Sequence, residues 1–272
     1  MPPETLEQVL QFLEGKDLTK LLSSGSRALV EQIIAYRQRT FFQNYVTIDE
    51  IKPEQKMFYN KIQKLIVHSK QVMQAMIESG PLDSLVELEI HDVNLEFIND
   101  WLTKIPTLER LLCVMKGFPK ASMTIAKFPK LRSLELSFKE INNEFIVNIT
   151  SLNSGIDLAL SCETSNVVRV LLQATTVAYL TLTNIFLQAD EDNVIIYGLT
   201  ALGQAGVVNN FECLRQCRIL EGGSSHFEVY KDHLGSVEKL YLNSGQENDP
   251  ELTIDLAQFP KLRHLDFADT WK

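Results

Sequence analysis

The chain has 272 residues and a formal net charge of −9 at pH 7. Affinity for nucleic acid comes mainly from a basic surface that neutralises phosphates, so this composition argues against a nucleic-acid partner. The N-terminus has no basic start before a long apolar stretch, which argues against a secretory signal. The most apolar window, residues 167–187, contains Arg169 and Gln173, so no membrane partner is expected. Four cysteines fit a reduced protein, and we expect a cytoplasmic and/or nuclear location.

Residues 1–45 show three short apolar stripes at helical spacing, which predict a small all-α module. The stripes run over 6–13, 18–22 and 29–34. Residues 46–60 follow as a connector that is charged and contains Pro53. Because the apolar residues 57–59 follow closely, we expect this connector to be packed rather than flexible.

Residues 61–272 form a repeat array. The phrase FPKLRSLEL at 128–136 returns as FPKLRHLDF at 259–267, and such self-similarity is typical of repeat architectures. The second leucine of the phrase serves as a register mark. The marks are Leu65, Leu88, Leu111, Leu134, Leu158, Leu180, Cys217, Leu240 and Leu265. They follow at steps of 22 to 25 residues, except for 37 between Leu180 and Cys217, so residues 188–216 hold either a degenerate repeat or an insertion.

Each repeat is predicted to contain one strand and one helix. Around each mark the pattern is apolar-x-x-apolar-x-apolar, as in LVELEI at 85–90, and this alternation predicts a strand with one buried face. Between strands, apolar residues are spaced by three and four, which predicts helices over 97–105, 141–149 and 167–172. Such a unit cannot bury its own apolar face, so neighbouring units must stack.

The repeats resemble the leucine-rich-repeat family. Residues 85–95, LVELEIHDVNL, match the apolar positions of L-x-x-L-x-L-x-x-N/C-x-L and depart at Val93, where the family places Asn or Cys. The resemblance implies an α/β fold in which a leucine-rich-repeat solenoid has parallel strands on its concave face and helices on its convex face. The small helical module would precede this solenoid.

The N-terminal module resembles the F-box family. The family signature is Leu-Pro-x-Glu-x-Leu, then Asp-Leu, then Val-Ser/Cys-Arg and a Trp. This chain supplies PPETL at 2–6, Asp17-Leu18 and Ser26-Arg27. It departs where Met1-Pro2 replaces the leucine before the proline, where Gly25 replaces Val, and where no Trp follows Arg27.

The resemblance implies the substrate-recognition subunit of a Skp–cullin–F-box ubiquitin ligase. Such a chain binds the Skp adaptor, and through it a cullin, while its repeats hold an unknown protein substrate. The adaptor-binding residues would be Pro3, Leu6, Val9, Leu10, Leu13, Leu18 and Leu21. The alternative is a non-enzymatic leucine-rich-repeat scaffold or inhibitor whose N-terminal helices only cap the solenoid.

Substrate would bind on the concave face, where residues beside each register mark point outward because strand side chains alternate. The candidates are Glu87, Glu89, His91, Arg110, Glu135, Asp157, Tyr179 and Tyr241. Arg218, next to the mark at Cys217, also falls on this ladder. The middle of the ladder is acidic, which suggests a substrate segment of basic character.

Neither catalysis nor a cofactor is expected. The chain has no Gly-rich phosphate loop, no nucleophile elbow and no zinc-protease helix. Cys213 and Cys217 lack a second pair with metal-ligand spacing, so we expect no metal site. Cys113, Cys162 and Cys217 fall near strand registers and are predicted to be small buried residues.

Overall fold

A computed structural model of the chain describes residues 45–51, 59–93, 98, 101, 103–116, 120–124, 130–139, 145–150, 155–163, 168–173, 175–189, 194–202, 207–208, 211–243 and 253–268. The chain divides into two compact units. Unit one comprises residues 1–93 and 97–114, and unit two comprises residues 94–96 and 115–272. Apart from Tyr45, which begins a strand, the predicted all-α module lies outside the described residues, and so do the seven adaptor-binding residues.

Unit one is built from parallel strands and a helix. The elements are β1 (Tyr45–Ile48), β2 (Lys64–Val67), α1 (Lys70–Ser79), β3 (Glu87–Val93) and β4 (Arg110–Lys116), whose last two residues belong to unit two. The strands follow one another in the order β1-β2-β3-β4, and β1 includes residues 46–48 of the predicted connector.

The register marks of unit one are confirmed. Leu65 pairs with Leu88, and both are buried. Between them α1 buries Val72, Met73 and Met76, and the chain leaves the helix at Gly80. Gly80 has φ +149°, a conformation that residues with a side chain rarely adopt. This repeat therefore contains the predicted strand and helix.

Unit two contains two parallel sheets. Its strands are β5 (Lys120–Thr124), β6 (Ser133–Lys139), β7 (Phe145–Thr150), β8 (Ile156–Cys162), β9 (Val168–Gln173), β10 (Thr175–Thr183), β11 (Ile185–Ala189), β12 (Val194–Ile196), β13 (Gly198–Leu202), β14 (Val207–Val208), β15 (Ile219–Gly223), β16 (Lys239–Asn243) and β17 (His264–Ala268). The first sheet has the order β6-β8-β10-β13-β15-β16-β17, with β12 also pairing with β10. The second has the order β14-β11-β9-β7-β5.

Short helices connect some of these strands. Helix α2 (Ser224–Tyr230) follows β15, and 3-10 turns occur at Phe211–Leu214, Lys231–His233 and Leu256–Gln258. No helix in the described part of the chain is long and apolar enough to cross a membrane.

A row of leucines forms the inner side of the first sheet of unit two. Each is at most 1 % exposed, and cross-strand pairing places them side by side: Leu134, Leu158, Leu180, Leu199, Leu220 and Leu240. Apolar burial of this kind is the main stabilising term of a repeat stack.

The strand pairing between Leu180 and Leu240 differs from the predicted register. The mark at Cys217 is wrong, because Leu220 rather than Cys217 pairs with Leu199 and Leu240. Leu199 supplies the mark that the 37-residue gap lacked. Residues 188–216 therefore hold a degenerate repeat strand, β13, and not only an insertion.

Two of the predicted helices are strands. Residues 145–150 form β7 and residues 168–173 form β9, which pair in parallel within the second sheet. Both segments are rich in β-branched residues, which lose side-chain freedom in a helix and pack well on a pleated surface. Over so short a segment, a spacing of three and four between apolar residues does not separate helix from strand. The predicted layer of helices is therefore wrong for these repeats, while the α/β fold with parallel repeat strands is confirmed.

Candidate functional site

On the outward face of unit one, a lysine and a tyrosine both contact Glu87. Tyr45, Lys64 and Glu87 are cross-strand neighbours in β1, β2 and β3. Lys64 Nζ lies 2.6 Å from Glu87 Oε1, and the Tyr45 hydroxyl donates a hydrogen bond of 2.7 Å to Glu87 Oε2. Lys64 Nζ also lies 5.6 Å from the centre of the Tyr45 ring. Both oxygens of Glu87 are thus already bound within this Glu87 cluster.

The electrostatics of the Glu87 cluster follow from these contacts. Burial raises the pKa of the Glu87 carboxyl, but the hydrogen bonds from Lys64 and Tyr45 and the charges of Lys64 and Arg110 outweigh it, so the net pKa is lowered. Partial burial, with the hydrogen bond to Glu87 and its charge, raises the pKa of Tyr45 to about 12. At neutral pH the cluster therefore joins an ionised carboxylate to a protonated phenol and an ammonium group.

Glu89 has a partner on the same face. Glu89 Oε1 lies 2.7 Å from Nε2 of His91, two residues along β3. The ring of His68 lies 4.7 Å from that of His91, centre to centre, at an interplanar angle of 48°. Two of the predicted site residues of unit one, Glu87 and Glu89, therefore have side-chain partners, and for Glu89 that partner is His91, another predicted site residue. The charge of Arg110 acts on Glu87 without a direct contact.

The outward face of unit two presents regular rows of side chains. Cross-strand pairing aligns one row, here called the central row, which consists of Glu135, Ala159, Thr181, Thr200, Glu221, Tyr241 and Asp266. Asp157 and Tyr179 pair with each other in the adjacent row. Four predicted site residues, Glu135, Asp157, Tyr179 and Tyr241, therefore share this face.

The carboxylates of Glu135 and Asp157 differ from those of unit one. Glu135 is half-buried and Asp157 is exposed. Neither carboxylate makes a hydrogen bond or an ion pair with any other residue that the structure describes. Both charges are available to a ligand.

Hydrogen bonds link Tyr179, in the adjacent row, to Thr200 and Glu221 in the central row. The Thr200 hydroxyl donates to Glu221 Oε2 at 3.2 Å and lies 2.8 Å from the Tyr179 hydroxyl. Thr200 has a single hydroxyl proton, which it gives to Glu221, so Tyr179 must donate to Thr200. Thr200 is only 6 % exposed. Its burial holds the three hydrogen-bonded side chains in place.

Gly198 determines where the ring of Tyr179 lies. A Cβ atom at Gly198 would meet Tyr179 Cδ2 at 2.6 Å and Cε2 at 2.9 Å, both too close for van der Waals contact. The missing side chain lets the ring pass over β13 and reach Thr200. On the other side of Glu221, Tyr241 is its direct cross-strand neighbour and lies 5.2 Å from the His264 ring, centre to centre.

Sequence reasoning missed Gly198, Thr200 and Glu221. The wrong mark at Cys217 placed Arg218 on the outward ladder, whereas Arg218 precedes β15 and its Cζ lies 5.9 Å from the centre of the Tyr197 ring. Moving the mark to Leu220 makes Glu221 the outward residue. The sign of the charge presented by this strand therefore changes from positive to negative.

The four cysteines are free thiols and all are buried. Burial raises the pKa of Cys213 and Cys217 to about 12, so both are protonated at neutral pH and behave as small apolar residues. Among the residues that the structure describes, no group of three or more His, Cys, Asp or Glu side chains could hold a metal ion.

No family model, curated protein or solved structure matches this chain. The likeness to F-box and leucine-rich-repeat proteins therefore rests on the residues of this chain alone.

Proposed function

We propose that this chain is a substrate-recognition subunit of a Skp–cullin–F-box ubiquitin ligase. Residues 1–45 would bind the Skp adaptor, and the repeats would form a leucine-rich-repeat array that holds a protein substrate on its outward face. The chain itself would carry out no chemistry. It would work by bringing the substrate to a partner enzyme.

The observation that carries the proposal is the repeated parallel strand. In β3, β6 and β16, for example, apolar side chains are buried on the inner side, and polar or aromatic side chains lie on the outer side. Successive strands lie about 4.8 Å apart, so the face of unit two offers regularly spaced groups to an extended protein segment. Tyrosines such as Tyr179 and Tyr241 are frequent anchors at protein interfaces.

The adaptor end is supported by the sequence pattern of residues 1–45. The apolar residues Leu10 and Leu13 belong to a helical stripe of the kind that is buried against a partner. The free carboxylates of unit two, Glu135 and Asp157, favour a substrate segment of basic character.

The adaptor end is tested by capture of a purified Skp adaptor on the immobilised full chain. We expect the wild-type chain to bind it, and Leu10→Asp or Leu13→Asp to weaken binding at least about tenfold, since a buried charge would replace an apolar contact. Gln11→Asp adds the same charge to the same segment outside the stripe and is the matched control. Equal binding by the wild type and Leu10→Asp, or no binding by the wild type, would overturn the proposal in favour of a repeat scaffold capped by residues 1–45.

A further inference from the structure

We propose that Glu221, with the tyrosines on either side of it, forms a subsite for one cationic side chain, Lys or Arg, of a protein segment bound on the outward face of unit two. This inference rests on the proposed use of that face for substrate binding. It adds the position and the chemical class of a residue that the face recognises.

The charge of Glu221 is not neutralised by any residue that the structure describes. Its Oε2 accepts a hydrogen bond from the neutral Thr200 hydroxyl, and no cationic group among the described residues lies within ion-pairing distance of either oxygen. Oε1 makes no hydrogen bond to any residue in that part of the chain. By contrast, Glu87 in unit one has both oxygens occupied and an ammonium group at 2.6 Å. Glu221 therefore keeps a net charge and a free acceptor for a ligand.

Two tyrosines lie on either side of this carboxylate along the strands. Tyr179 is joined to Glu221 through Thr200, and Tyr241 is its neighbour in register on β16. Tyrosine rings attract ammonium and guanidinium groups, and a nearby carboxylate adds to the attraction. A Lys or Arg side chain is attracted both by a carboxylate and by tyrosine rings, whereas an anionic side chain is repelled by the carboxylate.

The subsite is already organised before any ligand binds. Gly198 leaves the space that the Tyr179 ring fills, and the hydrogen bonds run from Tyr179 to Thr200 to Glu221. Thr200, the middle group, is nearly buried. Groups held in place in this way lose little conformational entropy on binding.

The test is an NMR titration of the full chain, labelled with ¹³C in its tyrosine rings, with the peptides Ac-Gly-Arg-Gly-NH₂ and Ac-Gly-Lys-Gly-NH₂. We expect saturable shifts of the Tyr179 and Tyr241 signals, with dissociation constants on the order of tens of millimolar. The control peptide carries citrulline, which has nearly the shape of arginine without its charge. Absence of saturable shifts at both tyrosines, or equal binding of the citrulline peptide, would overturn the proposal.

Variants of the chain localise the effect. Glu221→Gln should weaken binding of the arginine peptide about three- to tenfold, because it removes the charge and keeps the shape. Glu238→Gln removes the same charge at another half-buried position just before β16 and should leave affinity unchanged. Gly198→Ala changes no charge but displaces the Tyr179 ring, and it should also weaken binding. Equal affinities for the Glu221→Gln and Glu238→Gln variants would contradict the assignment.

This test is separate from the adaptor test. The titration needs no adaptor, so it can succeed or fail whatever residues 1–45 bind. Conversely, Glu221→Gln should capture the Skp adaptor as the wild type does, because the substitution lies outside the predicted adaptor-binding residues.

Discussion

The outward faces of the two units both carry acidic side chains but use them differently. In unit one, Glu87 is held by Lys64 and Tyr45, and Glu89 is held by His91. In unit two, the carboxylates of Glu135, Asp157 and Glu221 have no cationic partner among the described residues. The number of charges on the outward face of a sheet therefore does not predict ligand binding until the cross-strand partners of each charge are known.

The largest expected effect concerns the register on which this comparison depends. Leu220→Ala should lower the free energy of unfolding by about 2–5 kcal/mol, because Leu220 is fully buried between Leu199 and Leu240. Ile219→Ala, one residue earlier and on the opposite side of the strand, should cost less than about 1 kcal/mol. Urea denaturation of both variants measures the difference. If Ile219→Ala cost as much as Leu220→Ala, Glu221 would not face outward and the comparison would fail.

A smaller effect sharpens the comparison through pH. The pKa of Glu87 is lowered in the folded chain, so its carboxylate contributes stability above its ordinary pKa of 4.5, and this is lost as pH falls through the lower folded value. Glu87→Gln should therefore cost about 1 kcal/mol at pH 7 and nearly nothing once the carboxyl of the wild type is protonated.

The matched variant in unit two is Glu135→Gln, which removes a carboxylate that has no partner among the residues that the structure describes. We expect it to leave the free energy of unfolding almost unchanged at either pH. Urea denaturation at neutral and acid pH compares the two variants. A pH-independent cost for Glu87→Gln would show that the loss comes from packing rather than from the charge.

Much of the inner side of the fold was predictable from sequence. Leucines recurring near every 23 residues, such as Leu65 and Leu88, mark buried strand positions because the apolar stripe must face the stack. The leucine pattern gave the wrong register where inner residues are small, as at Ala201 and Gly222. Cys217 then fitted the pattern better than Leu220. The apolar pattern also failed at β7 and β9, because a spacing of three and four between apolar residues does not distinguish a strand from a helix over six residues.

The candidate site was predictable only in part. Alternation along a strand places Tyr179, Tyr241 and Glu135 outward from sequence alone. Which carboxylates are neutralised depends on residues more than twenty positions away, such as Lys64 beside Glu87. The role of Gly198 depends on the path of a ring from the neighbouring strand. Such cross-strand relations are not encoded in any local pattern.

The central claim is that the outward face of unit two, and not that of unit one, binds a basic segment. The most direct measurement is the affinity of Ac-Gly-Arg-Gly-NH₂ for two double variants of the full chain, Glu135→Gln/Glu221→Gln and Glu87→Gln/Glu89→Gln. We predict that the first lowers affinity about tenfold and the second less than about twofold, since among the described residues Glu135 and Glu221 lack the Lys or His partner that Glu87 and Glu89 have. An equal or larger loss for the unit-one variant would contradict the account.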